Sequence, residues 1–161
     1  MSLRLTCTCI LLLCITRTVY SRSMTNSDLD FWIGKWTCIV DDTVVGENVI
    51  RKTMNDRVVE ENFMTYTDGF VGASWSVFDS VNSVWKQTWV DNAGAYMNFT
   101  GAKSNDTIFF IEDNSVTLNG QKHYRRMIFY SIELNSFEWK WQSSIDRIKW
   151  KTNWHIFYKR Q

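Results

Sequence analysis

The chain has 161 residues, of which 45% are hydrophobic and 16% aromatic, with nine tryptophans, no proline and a formal net charge of +1. This length suits a single domain with one hydrophobic core. The near-neutral charge argues against a nucleic-acid partner and against binding to an anionic membrane surface.

The N-terminal segment, residues 1–21, is predicted to be a cleaved secretory signal peptide. Met1 to Arg4 carry the charge, and Leu5 to Ile15 form an apolar stretch too short for a membrane span, which needs ~20 residues. Cleavage after Ser23 is the alternative site, and an uncleaved anchor or a buried helix is the competing interpretation. No later stretch is apolar enough to span a bilayer, so we expect a secreted domain over 22–161.

Loss of this segment changes the charge and the cysteine content of the chain. Removal of Arg4 and Arg17 turns the net charge of +1 into −1, and Cys38 is the only cysteine that remains. No intrachain disulfide can then form. The apolar surroundings of Cys38 favour a buried thiol over pairing with a second chain. With one cysteine and two histidines, His123 and His155, we expect neither a metal site nor a thiol nucleophile.

Strand-like segments alternate with turn clusters along the rest of the chain. β-Branched and aromatic runs are separated by Gly, Asn, Asp and Ser, and the lack of proline permits long ladders. A helical turn around Ser27 to Phe31, capped by Ser27 or Asp28, precedes them. Ten short antiparallel strands predict an all-β, closed up-and-down barrel, with a two-sheet sandwich as the alternative. The strands are expected at about 32–40, 44–53, 57–66, 70–79, 84–91, 95–102, 107–112, 121–131, 136–143 and 147–159.

Two Asn-x-Thr triplets mark candidate N-glycosylation sites in a secreted chain. Asn105 lies in a predicted turn and is the better acceptor. Asn98 lies within a predicted strand, so its side chain would have to face solvent.

The alternation of side chains along the strands places many aromatic rings on one face. Trp85, Gln87 and Trp89 share a face, and so do Phe137, Trp139 and Trp141. Core filling explains buried rings in general. A barrel of ten strands is nevertheless wider than side chains readily fill, because ~8 strands already leave room for one small ligand. The pattern therefore indicates an aromatic-lined cavity.

Polar residues on these apolar faces are the candidates for specific contacts. Gln87 lies between two tryptophans, Glu61 shares a face with Phe63, and Arg126 shares one with Ile128. Each is either a ligand contact or part of a structural pair, and a buried Glu61–Arg126 pair is one such pair. Burial alone would raise the pKa of Glu61 and pairing would lower it, and we expect an ordinary or lowered value.

The motifs resemble those of lipocalin-like barrels in the calycin superfamily. The segment from Asp30 to Trp36 reads Asp-Phe-Trp-Ile-Gly-Lys-Trp, and the segment from Trp85 to Asp91 reads Trp-Lys-Gln-Thr-Trp-Val-Asp. Both are similar to motifs of small bacterial proteins with a lipocalin-like domain, as are Glu60 to Phe63, Ser74 to Asp79 and the C-terminal strand. Phe78 departs from the tyrosine of that pattern. The resemblance implies a fold like those of lipocalins and fatty-acid-binding proteins. Nitrobindin-like haem barrels are more distant, and their C-terminal histidine makes His155 a candidate haem ligand.

These observations predict a secreted β-barrel, monomeric or a homodimer, that binds a small apolar or amphipathic molecule without a cofactor. Trp36 would close one end. We expect no catalytic residues; the alternatives are a nitrobindin-like haem barrel and an isomerase- or hydrolase-like enzyme that uses Glu61. The residues expected to form the ligand site are Trp36, Glu61, Phe63, Gln87, Trp89, Arg126, Trp139 and Trp141.

Overall fold

A computed structural model describes residues 23–161, which form a closed antiparallel β-barrel. The predicted signal peptide lies outside the described residues apart from the alternative cleavage site. Within 23–161 no helix is long and apolar enough to cross a membrane. The strands are β1 (Gly34–Val40), β2 (Thr43–Thr53), β3 (Val58–Thr65), β4 (Val71–Asp79), β5 (Val84–Asp91), β6 (Tyr96–Ser104), β7 (Thr107–Glu112), β8 (Val116–Leu118), β9 (Gln121–Tyr130), β10 (Ser136–Ser144) and β11 (Lys151–Arg160).

Ten of these strands close the ring, which confirms the predicted barrel and excludes the sandwich. β1 to β7 pair in sequence, β7 pairs with β9, and β9, β10, β11 and β1 complete the circle. β8 pairs only with one end of β9, in a hairpin where the sequence predicted a turn. The last strand begins at Lys151 instead of residue 147, because Asp146 Oδ1 accepts hydrogen bonds from the backbone N–H groups of Ile148 and Lys149 and forms a turn there.

The N-terminal segment lies across one end of the barrel, which we call the helix end. A 3₁₀ helix spans Asp30–Trp32, and its cap position is Leu29, without a side-chain cap. The predicted cap at Ser27 or Asp28 is therefore wrong. The Asp28 carboxylate instead accepts from the backbone N–H of Thr25 and pairs with Lys103 at 2.6 Å. The connections at 66–70, 92–95 and 145–150 lie at the opposite end, the loop end.

Trp36 and Arg160 seal the helix end. Trp36 is fully buried; its Nε1 donates to the carbonyl of Trp32 at 2.8 Å, and its ring meets Phe137 edge-on. Arg160 lies over the other face of that indole, with 4.1 Å from Cζ to the ring centroid. The guanidinium also donates to three backbone carbonyls, those of Phe31, Ile33 and Leu134. One side chain thus fastens the N-terminal segment and the β9–β10 connection to the closed end.

Replacing Arg160 should therefore destabilise the barrel more than replacing a neighbouring cation. Arg160→Ala removes three charge-assisted hydrogen bonds and the contact with Trp36, and we expect a loss of about 2–4 kcal/mol in unfolding free energy. Lys159→Ala, which removes an exposed side chain on the outer face, is the matched control and should change stability by less than ~0.5 kcal/mol. Urea unfolding followed by tryptophan fluorescence measures both. Equal losses in the two variants would contradict this role of Arg160.

Candidate ligand-binding cavity

The interior of the barrel contains a cavity of about 290 Å³. Inward-facing side chains of β3, β5, β6, β9, β10 and β11 form its wall, because alternate residues of each strand point to the same side of the sheet. Most are aromatic or apolar, as is typical of small-molecule sites. The lining residues are Trp32, Glu61, Phe63, Phe70, Trp89, Asp91, Ala95, Met97, Phe99, Arg125, Met127, Phe129, Trp139, Trp141, Trp154, Ile156 and Tyr158.

Edge-to-face contacts hold the aromatic wall in place. The ring of Trp154 meets Phe63 at 5.6 Å and Trp139 at 5.9 Å between centroids. At the loop end Phe70, from the β3–β4 connection, stacks against Trp89. These arrangements suit the ring quadrupoles.

A glycine makes room for one of these rings. Gly72 pairs with Asp91 in the β4–β5 ladder, and a Cβ on Gly72 would overlap the indole of the nearby Trp89. The Trp89 ring can therefore lie close to the backbone of β4 instead of crossing the interior.

Glu61 carries the only buried carboxyl among the lining residues and has no cation beside it within the described part of the chain. Its Oε1 accepts from Asn48 Nδ2 at 2.7 Å and its Oε2 from Ser74 Oγ at 2.6 Å. Gln87 Nε2 donates in turn to Ser74 and Ser76, both at 3.1 Å. A polar network on β2, β3, β4 and β5 thus holds the carboxyl toward an apolar space.

Burial dominates the ionisation of this region. It raises the pKa of Glu61 to about 7, and the hydrogen bonds from Ser74 and Asn48 only partly oppose it. Our expectation of an ordinary or lowered pKa is wrong, because Arg126, the possible ion-pair partner, does not lie beside Glu61. Burial also raises the pKa of the Cys38 thiol to about 12 and that of Tyr158 well above its usual range. Cys38 is a buried thiol, as its sequence context predicted.

Trp32 lines the cavity and carries a buried hydrogen-bond donor without a partner. Its side chain is 2% exposed, and its Nε1 has no acceptor within residues 23–161. Such an unpaired donor costs ~1–3 kcal/mol.

Charged groups reach the cavity at its loop end. Arg125 forms a two-pronged ion pair with Glu112, with 2.6 Å from Nε to Oε2. Asp91 accepts from Trp89 Nε1 at 2.9 Å and from the backbone N–H groups of Ala93 and Ala95 at 3.0 Å. The one lining cation is therefore already neutralised, whereas Asp91 has only neutral donors.

The structure places the eight sequence-predicted site residues in four settings, of which the outer face, with Arg126, is described below. Five line the cavity together: Glu61, Phe63, Trp89, Trp139 and Trp141. Trp36 lies beneath the cavity in the packed helix end, and Gln87 lies behind the wall, 2% exposed, bonded to two serines.

Arg126, expected in the ligand site, lies on the outer face instead, which also excludes the alternative of a buried pair with Glu61. Its guanidinium stacks over Trp150 at 3.9 Å and donates from Nε to Gln142. The inward positions of β9 are Arg125, Met127 and Phe129. Alternation could not choose between the faces, because the outer one also carries apolar residues.

Several lining residues were missed although they fall within predicted strands. Phe70, Ala95 and Trp32 are the first residues of the predicted strands 70–79, 95–102 and 32–40. The structure places Phe70 and Ala95 in connections and Trp32 in the 3₁₀ helix. Trp154 and Tyr158 share one face of the last strand with Ile156, and that alternation could have included them.

Neither histidine faces the cavity. The side chain of His155 lies on the outer face, 46% exposed, with its Nε2 2.8 Å from Glu138 and 3.1 Å from Tyr130 Oη. His123 lies near the β8–β9 hairpin and is likewise not among the lining residues. A haem in the cavity would find no imidazole there, which removes the reason for the nitrobindin-like alternative.

The two glycosylation candidates occupy different settings, and their modification stays a prediction. Asn105 is exposed in the β6–β7 turn with a φ of 51°. Asn98 faces outward from β6, half-buried, and its Oδ1 accepts from Thr88 Oγ1 at 2.8 Å.

No protein-family model matches the chain, and a search of curated proteins found no match. The closed ten-strand antiparallel barrel is consistent with a lipocalin-like, calycin fold.

The raised pKa of Glu61 predicts how stability changes with pH. The folded-state pKa of about 7 lies above the ordinary value of 4.5, so the folded protein binds more protons between these values. The contribution of Glu61 to the free energy of unfolding is complete below about pH 4. It decreases as the pH rises, by about 3 kcal/mol at pH 8. Glu61→Gln lacks this titration. The difference between wild type and variant in urea unfolding should change by that amount over the same range.

Glu60→Gln is the matched control, since the neighbouring side chain lies on the outer face and pairs with Arg51, which lowers its pKa. Stability differences that do not depend on pH for Glu61→Gln, or the same trend in Glu60→Gln, would contradict the assignment.

Proposed function

We propose that this protein is a secreted carrier that binds one small amphipathic molecule inside the barrel, and that it belongs among the lipocalin-like proteins. The observation that supports binding most strongly is the cavity itself. At about 290 Å³ it lies near the lower end of the ~300–1,000 Å³ found for small-molecule sites. Fourteen of the 17 lining side chains are aromatic or otherwise apolar, so burial of an apolar body would drive binding.

The polar groups would supply orientation. Glu61 and Tyr158 are linked by Asn48. The Nδ2 of Asn48 donates to Glu61 Oε1 at 2.7 Å and to Tyr158 Oη at 3.5 Å. Trp32 adds the unused donor near the helix end. A wholly apolar ligand would leave these groups unpaired, whereas an amphipathic ligand can satisfy them.

A second candidate function is proton-transfer catalysis by Glu61. The observation that favours it is a carboxyl with a pKa of about 7 on the wall of a cavity, which suits a general acid or base. No serine, threonine, cysteine, lysine or histidine is present among the lining residues, so covalent catalysis has no candidate nucleophile of those types there. Mass spectrometry of a ligand after prolonged incubation separates the two functions: a carrier returns it unchanged.

Filling the cavity should abolish binding of a neutral apolar probe. N-phenyl-1-naphthylamine becomes fluorescent in apolar sites, and we expect wild type to bind it. Ala95→Phe places a ring in the loop end of the cavity and should weaken binding at least about tenfold, roughly the effect of losing 1.4 kcal/mol.

Ala73→Phe makes the same change on the outer face of β4 and should leave binding within about twofold. Circular dichroism checks that both variants fold. If wild type binds no probe, or if the two variants behave alike, a binding site inside the barrel is contradicted.

A further inference from the structure

The charge balance of the cavity points to the class of ligand, on the premise that the proposed binding function is correct. Two carboxyls and one guanidinium face the cavity. Arg125 is engaged by Glu112, so its charge is already matched. Within residues 23–161, neither Glu61 nor Asp91 forms an ion pair. The interior therefore has an excess of negative charge when these carboxyls are ionised.

The hydrogen-bonding network around Glu61 has the same bias toward acceptors. Two acceptors of this network, Asn48 Oδ1 and Gln87 Oε1, have no donor within the described part of the chain. Both lie behind the cavity wall, so the Glu61 carboxylate is the acceptor of this network that a ligand can reach. The Glu61 carboxylate has further lone pairs beyond the two that Asn48 and Ser74 use. A ligand group that donates hydrogen bonds fits this region, and one that only accepts them does not.

The walls beside Glu61 are suited to a cation. Phe63, Trp139 and Trp154 form a connected set of aromatic rings, and Tyr158 completes the wall on β11. The faces of such rings attract an ammonium group, more strongly where water is excluded. An anionic head would instead meet two carboxyls and the negative faces of the rings.

We propose that the ligand is a small aromatic amine, bound as its cation, with the ammonium group against Glu61 and the ring system between the tryptophans. The site discriminates against carboxylates such as fatty acids, because Arg125 is already paired and lies at the loop end.

Glu61 is the group whose charge controls this binding between pH 5 and 8. The other groups that face it are Cys38 on β1 and Tyr158 on β11, both of which stay protonated, together with the neutral Asn48 and Ser74. An ammonium ligand selects the ionised carboxylate. Its affinity should therefore rise as the pH increases to about 8, by about tenfold for each pH unit below the pKa of Glu61.

A series of three indoles that differ in charge tests the proposal directly. Tryptamine is a cation, tryptophol is neutral and indole-3-acetate is an anion, and all three carry the same ring. Calorimetric titration of wild type at about pH 8 should rank them in that order, with tryptamine at least about tenfold tighter than tryptophol. At about pH 7, tryptamine binding should also release about half a proton, because half of the Glu61 carboxyls are protonated there before binding.

Variants identify the carboxyl that is responsible. Glu61→Gln keeps the shape of the side chain and should remove the preference for tryptamine and the proton release. Glu60→Gln changes the net charge equally on the outer face and should keep both. If Glu61→Gln does not fold, the titration of wild type with the three indoles still tests the preference for a cation.

The outcomes separate this inference from the proposed function. Equal affinities for the three indoles, a preference for the anion, or a tryptamine preference that survives in Glu61→Gln would overturn the amine assignment and leave the cavity as a binding site. If N-phenyl-1-naphthylamine binds and no indole does, the amine assignment is also overturned. If neither the probe nor any indole binds, the proposed function fails with it.

Discussion

Closure of ten strands into one ring is the constraint on which the rest of this structure depends. Strand number fixes the diameter of a barrel, and ten strands enclose more space than inward side chains readily fill. The ladder between β1 and β11 completes the ring, with Trp36 opposite Arg160 in the register. The same two residues seal the helix end, where the N-terminal segment packs beneath them. Unfilled space is therefore confined to the middle and the loop end.

The aromatic content of the chain follows from this space. Large flat rings span a wide interior and brace one another edge-on, as Trp154 does with Phe63 and Trp139. The packed layer beneath them, with Phe137 and Tyr158 stacked at 4.4 Å, forms an ordinary core. The side chains below and around the cavity are therefore held in place by one another. Because they need little further ordering, the entropy lost on binding a ligand is smaller.

Glu61 is the residue whose placement lacks a purely structural explanation. Desolvating a carboxyl without a counter-ion is unfavourable, and the two neutral donors at Asn48 and Ser74 offset only part of that cost. A glutamine could accept from Asn48 at its carbonyl oxygen and donate to the Ser74 hydroxyl from its amide nitrogen, without that penalty. An unfavourable group on the wall of a cavity is typical of a functional site, where the missing interaction comes from a ligand.

The fold was largely predictable from the sequence, since alternation and turn residues locate ten of the eleven strands. The three-residue strand β8 was missed because so short a segment carries no periodicity. Within the site, Glu61 and the tryptophans of β5 and β10 could be predicted from the sequence, because one face of each strand is clearly apolar. The inner face of β9 could not be identified, because Tyr124 and Ile128 make its outer face as apolar as the inner one. Arg126 was therefore expected in the site, where the structure has Arg125. Phe70 is the first residue of a predicted strand but belongs to a connection, and its inward position depends on tertiary contacts such as that with Trp89.

A crystal structure of protein purified from its natural source tests the central claim most directly. We expect electron density for a bound molecule between Trp89, Trp139 and Trp154, with a polar atom within hydrogen-bonding distance of the Glu61 carboxylate. A barrel interior filled by its own side chains, with Glu61 paired to a cation of the protein, would contradict it.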